Sequence, residues 1–405
     1  MTLVHPAVAA PRPVGAPICR ATTLLFAAAT GTIVINLFAS QTLIGPIAAS
    51  LRLGDGAAGL VSMATLLGYA AGLFLLVPLA DLAENRSLVV IMLSAALLAA
   101  VAAAAATGAI AFLAALFVLG AACSAIQILM PMAAAIAPPE HRGRVVGDVA
   151  SGLMIGIVLS RPAASFIAGL WSWRAYYAAS AVTLGLVVVV LARALPQRRP
   201  PLHTGYPALL ASLWQLVRTE PVLRQRALTA ALVMAAFSVF WTVVALRLAM
   251  APFGLGQSGI ALFALAGVTG AVAAPVTGRA GDRGRARGAL VLCHALIVVA
   301  MGLAAWAGAA HAPASPVALA GMVLGAVLLD FGVIGDQTLG RRAVNLLRPE
   351  ARGRLNALFV GLFFLGGALG SAVTGLAWAL GGWPAVCGVS AGCGALALLA
   401  DWRAT

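Results

Sequence analysis

Apolar residues run through the chain in long blocks divided by short polar interruptions. A helix rising 1.5 Å per residue needs about 20 apolar residues to cross a hydrocarbon core of about 30 Å. Twelve blocks have that length, at 22–44, 57–79, 87–107, 110–137, 145–169, 174–194, 227–250, 257–277, 288–309, 316–340, 355–378 and 383–401. One interruption is unlike the rest: it carries Pro196, Pro200, Pro201, Pro207 and Pro221 among Arg198, Arg199, Arg218, Arg224 and Arg226. The pattern therefore predicts an all-α membrane protein of twelve transmembrane helices in two groups of six. A tail covers 1–21, a first bundle 22–195, a linker 196–226, a second bundle 227–401 and a second tail 402–405. Pro6, Pro11, Pro13 and Pro17 precede the first span without an apolar core of their own, so that span is expected to stay in the mature protein.

Composition agrees with this reading and removes its rivals. Of 405 residues, 62% are apolar and 9% charged, against about 45–50% and about 25% in soluble domains. Disorder is excluded by the same figures. The net charge of +14 invites a nucleic-acid partner, but its placement gives another explanation. All 25 basic residues are Arg, and 21 fall on one side of the twelve-span topology. Arg52, Arg174 and Arg247 fall on the other side, and Arg161 lies within a span. By the positive-inside bias the Arg-rich side is cytoplasmic, with both termini there, in a bacterial inner membrane. No nucleic acid is then needed. Cys19, Cys123, Cys293, Cys387 and Cys393 lack metal-ligand spacing and are expected to be packing residues. No Ser-His-Asp group or phosphate-binding glycine loop is present, so neither an enzyme nor a metal or cofactor is expected.

The two groups of six repeat one another. Pro139-Glu140-His141-Arg142-Gly143-Arg144 before the fifth span matches Pro349-Glu350-Ala351-Arg352-Gly353-Arg354 before the eleventh. The same offset carries Gln127 onto Gln337, Trp173 onto Trp383 and Ser180 onto Ser390. A similar one carries Asp81 onto Asp282 and Arg86 onto Arg287. Parallel six-span repeats describe an alternating-access transporter with its site at the midplane between the halves.

The loops and spans together resemble the major facilitator superfamily over the whole length. Its loop signature, Gly-x-Leu-Ala-Asp-Arg-x-Gly-Arg-Arg/Lys, is matched loosely by Val77–Arg86 and more closely by Gly278–Arg287. Asn36-Leu37-Phe38-Ala39-Ser40-Gln41 and Arg354-Leu355-Asn356 resemble the arabinose- and drug-efflux branch of bacterial proton antiporters. The span-five antiporter signature of that branch keeps only Pro162, with Arg161 where a small residue is expected. The resemblance implies that Asp81 and Asp282 dock against the start of a helix in the opposite half when the inner side closes. Arg86, Arg142, Arg144, Arg285, Arg352 and Arg354 are the gating cations this implies, with the positive helix ends beside them. It also implies that the Gly68/Gly72, Gly152/Gly156 and Gly366/Gly370 pairs mark where the halves slide, and ordinary tight helix packing is the other reading of the same spacing.

Within the spans, Arg161 and Asp330 are the costly residues, since a charge in hydrocarbon needs a wet cavity or a partner. Asp330 is the expected proton carrier, a carboxylate whose protonation its surroundings can control. Asn36, Gln41, Gln127, Arg161, Phe240, Trp241 and Gln337 are the expected substrate-binding residues, with Gln127 and Gln337 on opposite walls. The reading is a secondary transporter for proton-coupled efflux of a small organic solute or drug, working as a monomer with protons and the lipid bilayer as partners. A proton-linked importer or facilitator of a sugar or organic anion is the alternative, and a transport-dead scaffold or sensor another.

Overall fold

The computed structural model describes residues 20–199, 205–309, 316–348 and 351–403. Residues 1–19 (with Cys19), His203, His311, Pro349, Glu350 and the last two residues lie outside the described residues. All regular structure among the described residues is helical. Span 1 is Arg20–Phe38 continued by Ser40–Leu51. Spans 2 to 6 are Ala58–Asp81, Asn85–Ala105, Ala109–Ile136, Arg142–Leu170 and Trp173–Ala194. Spans 7 to 10 are Pro221–Ala249, Gln257–Asp282, Ala286–Ala307 and Pro316–Asn345. The last helix, Arg352–Arg403, runs 52 residues but breaks at Gly382, where φ 57 and ψ −150 form a conformation open to glycine. Spans 11 and 12 are therefore 352–381 and 383–403, which completes twelve crossings.

The linker is more ordered than its prolines suggest. Tyr206–Thr219 forms a helix that starts with Pro207 in its first turn and buries Leu209, Leu213 and Leu216. That spacing places one apolar stripe against the bundle, and the Tyr206 hydroxyl donates to the Leu75 carbonyl at 2.8 Å. This helix marks one end of the molecule, the linker face. The opposite end is the far face.

Equivalent contacts in the two bundles follow the repeat. Ser180 of span 6 donates to Asn36 of span 1 at 2.5 Å, and Ser390 of span 12 donates to the Ala236 carbonyl of span 7 at 2.8 Å. A Cβ on Gly152 or Gly156 would overlap the backbone of span 1 at Ala27 or Gly31. One on Gly366 or Gly370 would overlap span 7 at Ala231 or Ala235. Gly68 and Gly72 meet Phe117 and Ala121 of span 4 in the same way. All three glycine pairs thus join helices within a half, so the tight-packing reading of the spacing holds and the sliding-surface reading is corrected. Backbone-to-backbone approach is needed where a bundle must stay rigid, and that is where the small residues went.

The halves meet along two unequal seams. Spans 2 and 11 touch along their whole length, with Gly59 on the backbone of Ser371, the Tyr69 ring 4.6 Å from Phe364, and Phe74 against Gly361. Span 5 packs on the far half of span 8, where Gln257 lies against Gly169, while the linker half of span 8 packs on span 10. The far face is closed further by Leu246 of span 7 against Gly45 of span 1.

Candidate substrate and proton site

A central cavity lies between the halves, lined from both sides by Phe38, Tyr69, Gln127, Arg161, Phe237, Asp330, Gln337 and Arg341 among others. Local breaks in the helices shape it. Pro131 has no N–H to give the Gln127 carbonyl, and span 4 is interrupted at Ser124 beside that residue. Span 8 passes the cavity as a 3-10 turn, Leu265–Thr269, the kind of irregular backbone that is tolerated in a membrane where it lines a cavity.

Arg161 and Asp330 come together here without forming a direct ion pair. Both are almost fully buried, at 3% and 4% exposure. Arg161 reaches from span 5 to the second half, with its guanidinium 4.1 Å from the Trp241 ring centroid, 5.0 Å from Phe237 and 5.2 Å from Phe38. Its Nε–H donates to Gln41 Oε1 at 2.8 Å, which leaves Nη2 without a partner. Asp330 of span 10 accepts from the Trp241 indole N–H at 2.8 Å. Trp241 therefore holds the cation on its face and the carboxylate at its edge, which suits the quadrupole of the ring. Gly267 of span 8 closes the group. A Cβ there would stand 3.0 Å from Asp330 Oδ2 and 3.5 Å from Arg161 Nη1.

The remaining expected residues divide between the cavity and its walls. Gln127 lines the cavity and donates to the Tyr69 hydroxyl at 3.2 Å, and Gln337 lines the opposite wall. Asn36 is turned to Ser180 and Thr32, and Phe240 packs on Trp241 and Trp383 behind the cavity, so both sit in its supporting layer. Arg341 was not anticipated. It lies one turn beyond Gln337 on span 10, lines the cavity, faces Tyr69 and has a buried Nε with no hydrogen-bond partner. The spacing of four from Gln337 was the available signal, masked by Arg342 and the loop that follows.

The loop residues lie at the linker face. Asp81 is near enough to Arg354, at the start of span 11, for their charges to act on each other, and it also faces Arg198. Asp282 pairs with Arg342 of its own half rather than with Arg142 or Arg144. Arg142 donates to the Ala134 carbonyl, Arg86 to Leu195 and Arg352 to Asn345, all within their own halves. Arg144 lines a surface cleft with Arg20 and Asp148, and Arg285 is exposed. The cross-half arrangement is thus present at the span 2 and 11 seam and absent at the span 5 and 8 seam.

Comparison with known proteins gives the same answer at three levels. The family model described as Major Facilitator Superfamily matches residues 22–340. The uncharacterized transporter YgaY of Escherichia coli O157:H7 is 35% identical over 385 residues, 94% of each chain. The probable transporter SCO4007 of Streptomyces coelicolor is 31% identical over 386 residues, 94% of this chain and 86% of that one. Among solved structures, a D-xylose-proton symporter superposes with a TM-score of 0.73 at 17% identity, covering 95% of this chain and 98% of the other. The nucleoside transporter NupG gives 0.72 at 14% identity, covering 94% and 98%. Helices, repeats, central cavity and relatives agree, and the chain belongs to the Major Facilitator Superfamily of membrane transporters.

Proposed function

We propose that the chain is a proton-coupled secondary transporter of a small organic anion in a bacterial inner membrane, with the linker face cytoplasmic. The observation that carries this reading is the group of Arg161, Trp241 and Asp330 at the end of the cavity nearer the far face. A proton on Asp330 removes the carboxylate that competes for Arg161. The free guanidinium then takes an anionic group, with Arg341, Gln127 and Gln337 nearer the linker face and Phe38, Phe237 and Phe364 beside an apolar body. Loss of the proton returns the charge of Asp330 to Arg161 and weakens the hold on the anion. Proton and anion therefore bind together and cross together. Two cations against one carboxylate support an anionic solute, because an uncompensated buried charge is costly. The arginine distribution supports the orientation, and one chain supplies both halves of the pathway, which supports a working monomer. Asp81 facing Arg354 supports gating by the loop acids, with Asp282 free to change partner in the other state.

Export in exchange for protons is the second reading. It is favoured by the resemblance of the Asn36–Gln41 and Arg354–Asn356 segments to the efflux branch, and it suits a solute that competes with the proton for Asp330. Proteoliposomes separate the two. Neutral, anionic and cationic solutes are added in turn to vesicles of wild type and Asp330→Asn, and the internal pH is followed. Acidification of the vesicle interior by an anion, lost in Asp330→Asn, is the expected result. Alkalinisation by an entering solute indicates exchange. Solute flux with no pH change in wild type defeats the coupling role of Asp330.

A further inference from the structure

Away from the central cavity, the second bundle buries another set of ionisable groups that the transport reading leaves unused. His294 of span 9 is 0% exposed and stands between two carboxylates. Its Nε2 lies 2.9 Å from Asp336 Oδ1 on span 10, and its Nδ1 lies 3.6 Å from Asp401 Oδ2 on span 12. Asp401 also takes both guanidinium nitrogens of Arg226 on span 7 and the Gln225 amide at 3.2 Å. Cys293 of span 9 faces Asp336, and Arg287 lines a cleft that reaches Asp401. Thr277 of span 8 faces the same region but spends its hydroxyl on the Ala273 carbonyl.

The arrangement asks for a proton. A neutral imidazole has one N–H and one lone pair, so between two carboxylates it must turn a lone pair toward an anion. With both nitrogens protonated, each faces its own carboxylate. The charges give the same answer: Asp336 and Asp401 outnumber Arg226 by one, and a proton on His294 brings the buried set to neutrality. Without it, one negative charge stays buried and uncompensated, which is unfavourable. Asp336 Oδ2 and His294 Nδ1 have no hydrogen-bond partner, so the set is not fully satisfied by the protein alone. A linker-face cleft lined by Gln225, Arg226, Arg287 and Asp401 reaches the Asp401 edge of the set, with His294 and Asp336 buried behind it.

We propose that His294, Asp336 and Asp401 form a second proton-binding site, loaded from the linker-face solution and separate from Asp330. Its occupancy ties span 10 to spans 7, 9 and 12. Span 10 also carries Asp330, Gln337 and Arg341, so the state of this site is felt at the cavity wall. Transport then carries a titration of its own from the linker side, in addition to any that belongs to Asp330.

The test is nuclear magnetic resonance of the full chain with isotopically labelled histidine, in lipid nanodiscs, across about pH 5 to 8. The His294 signal is the one missing from His294→Gln. Conversion of that ring from the doubly to the singly protonated form, with a midpoint shifted in Asp336→Asn and in Asp401→Asn but not in Asp330→Asn, is the expected result. A ring whose protonation never changes, or whose midpoint ignores both Asn variants, overturns the site. In parallel, solute flux is followed against linker-side pH. Loss of one titration in His294→Gln is expected, and a profile identical to wild type overturns the effect on transport. The histidine signal does not depend on which group couples solute to protons, so failure of the Asp330 reading would leave this result interpretable.

Discussion

Arg161 and Asp330 interact through an aromatic ring, and that fixes what substitutions should do. In Trp241→Phe the ring that carries the guanidinium survives, but the N–H that serves Asp330 is lost. A hydrogen bond to a charged group contributes about 1.5–3 kcal/mol, so Trp241→Phe should unfold at a lower temperature by a corresponding amount. In an Asp330→Asn background the loss should be smaller, and thermal unfolding of the four proteins of the cycle measures the difference. Arg161→Lys should raise KM for an anionic solute, because an ammonium cannot keep the Nε bond to Gln41 and still present a second face to a ligand. Both charged residues were legible in the sequence, since a charge inside an apolar run stands out. Trp241 was legible as a substrate-binding candidate, but its N–H partner depends on helix rotation, which no spacing reveals. His294 is the only histidine within a span, and its partners come from spans 10 and 12, so no local spacing points to them.

At the level of elements, the junction between spans 2 and 3 is held by a carboxylate. Glu84 caps span 3, accepting from the Ser87 hydroxyl at 2.6 Å and from the backbone N–H groups of Ser87, Arg86 and Arg198 at 2.8, 2.9 and 3.2 Å. Burial works against its charge, but these bonds hold the carboxyl at about 2 against an ordinary 4.5. The folded value lies below the unfolded one, so the stabilisation is complete above pH 4.5 and is lost as pH falls toward 2. Wild type should therefore be more stable than Glu84→Gln near neutrality, with the advantage fading over that acid window in unfolding experiments. The linker helix shows where element reading fell short. Its leucine stripe was present in the sequence, but prolines and arginines around it read as a polar connection. The twelve crossings were legible because length and apolarity alone decide them.

For the molecule as a whole, the unequal seams close the far face, which the proposed transport cycle would have to open in turn. Gly59 sits directly on the span 11 backbone, with no room for a side chain. Gly59→Val should hold the far end of this seam apart and shift the population toward far-face opening. A cysteine placed at Met154 in the cavity should then react faster with an impermeant thiol reagent added from the far side, and an unchanged rate would count against the seam as a gate. Fold and repeat could be read from the sequence at this scale, whereas the seams could not. Glycine spacing reveals that two helices come close but not which two, and of its two readings the tight packing within each half is the one the contacts bear out.

The break at Gly382 leaves spans 11 and 12 joined across the far face by a single residue. Spans 5 and 6 are joined there by Trp171 and Ser172 alone. These two far-face connections are thus one and two residues long, while the longest connection, with Arg198, Arg199, Arg218 and Arg224, lies on the other side. Trypsin given to one side of a sealed vesicle should split molecules whose linker faces the protease into two fragments of similar size, whereas molecules inserted the other way offer it the exposed Arg52 of the far-face turn, where a cut releases only a short N-terminal piece. A stained gel would then count the two orientations in any reconstitution without a tag or an antibody.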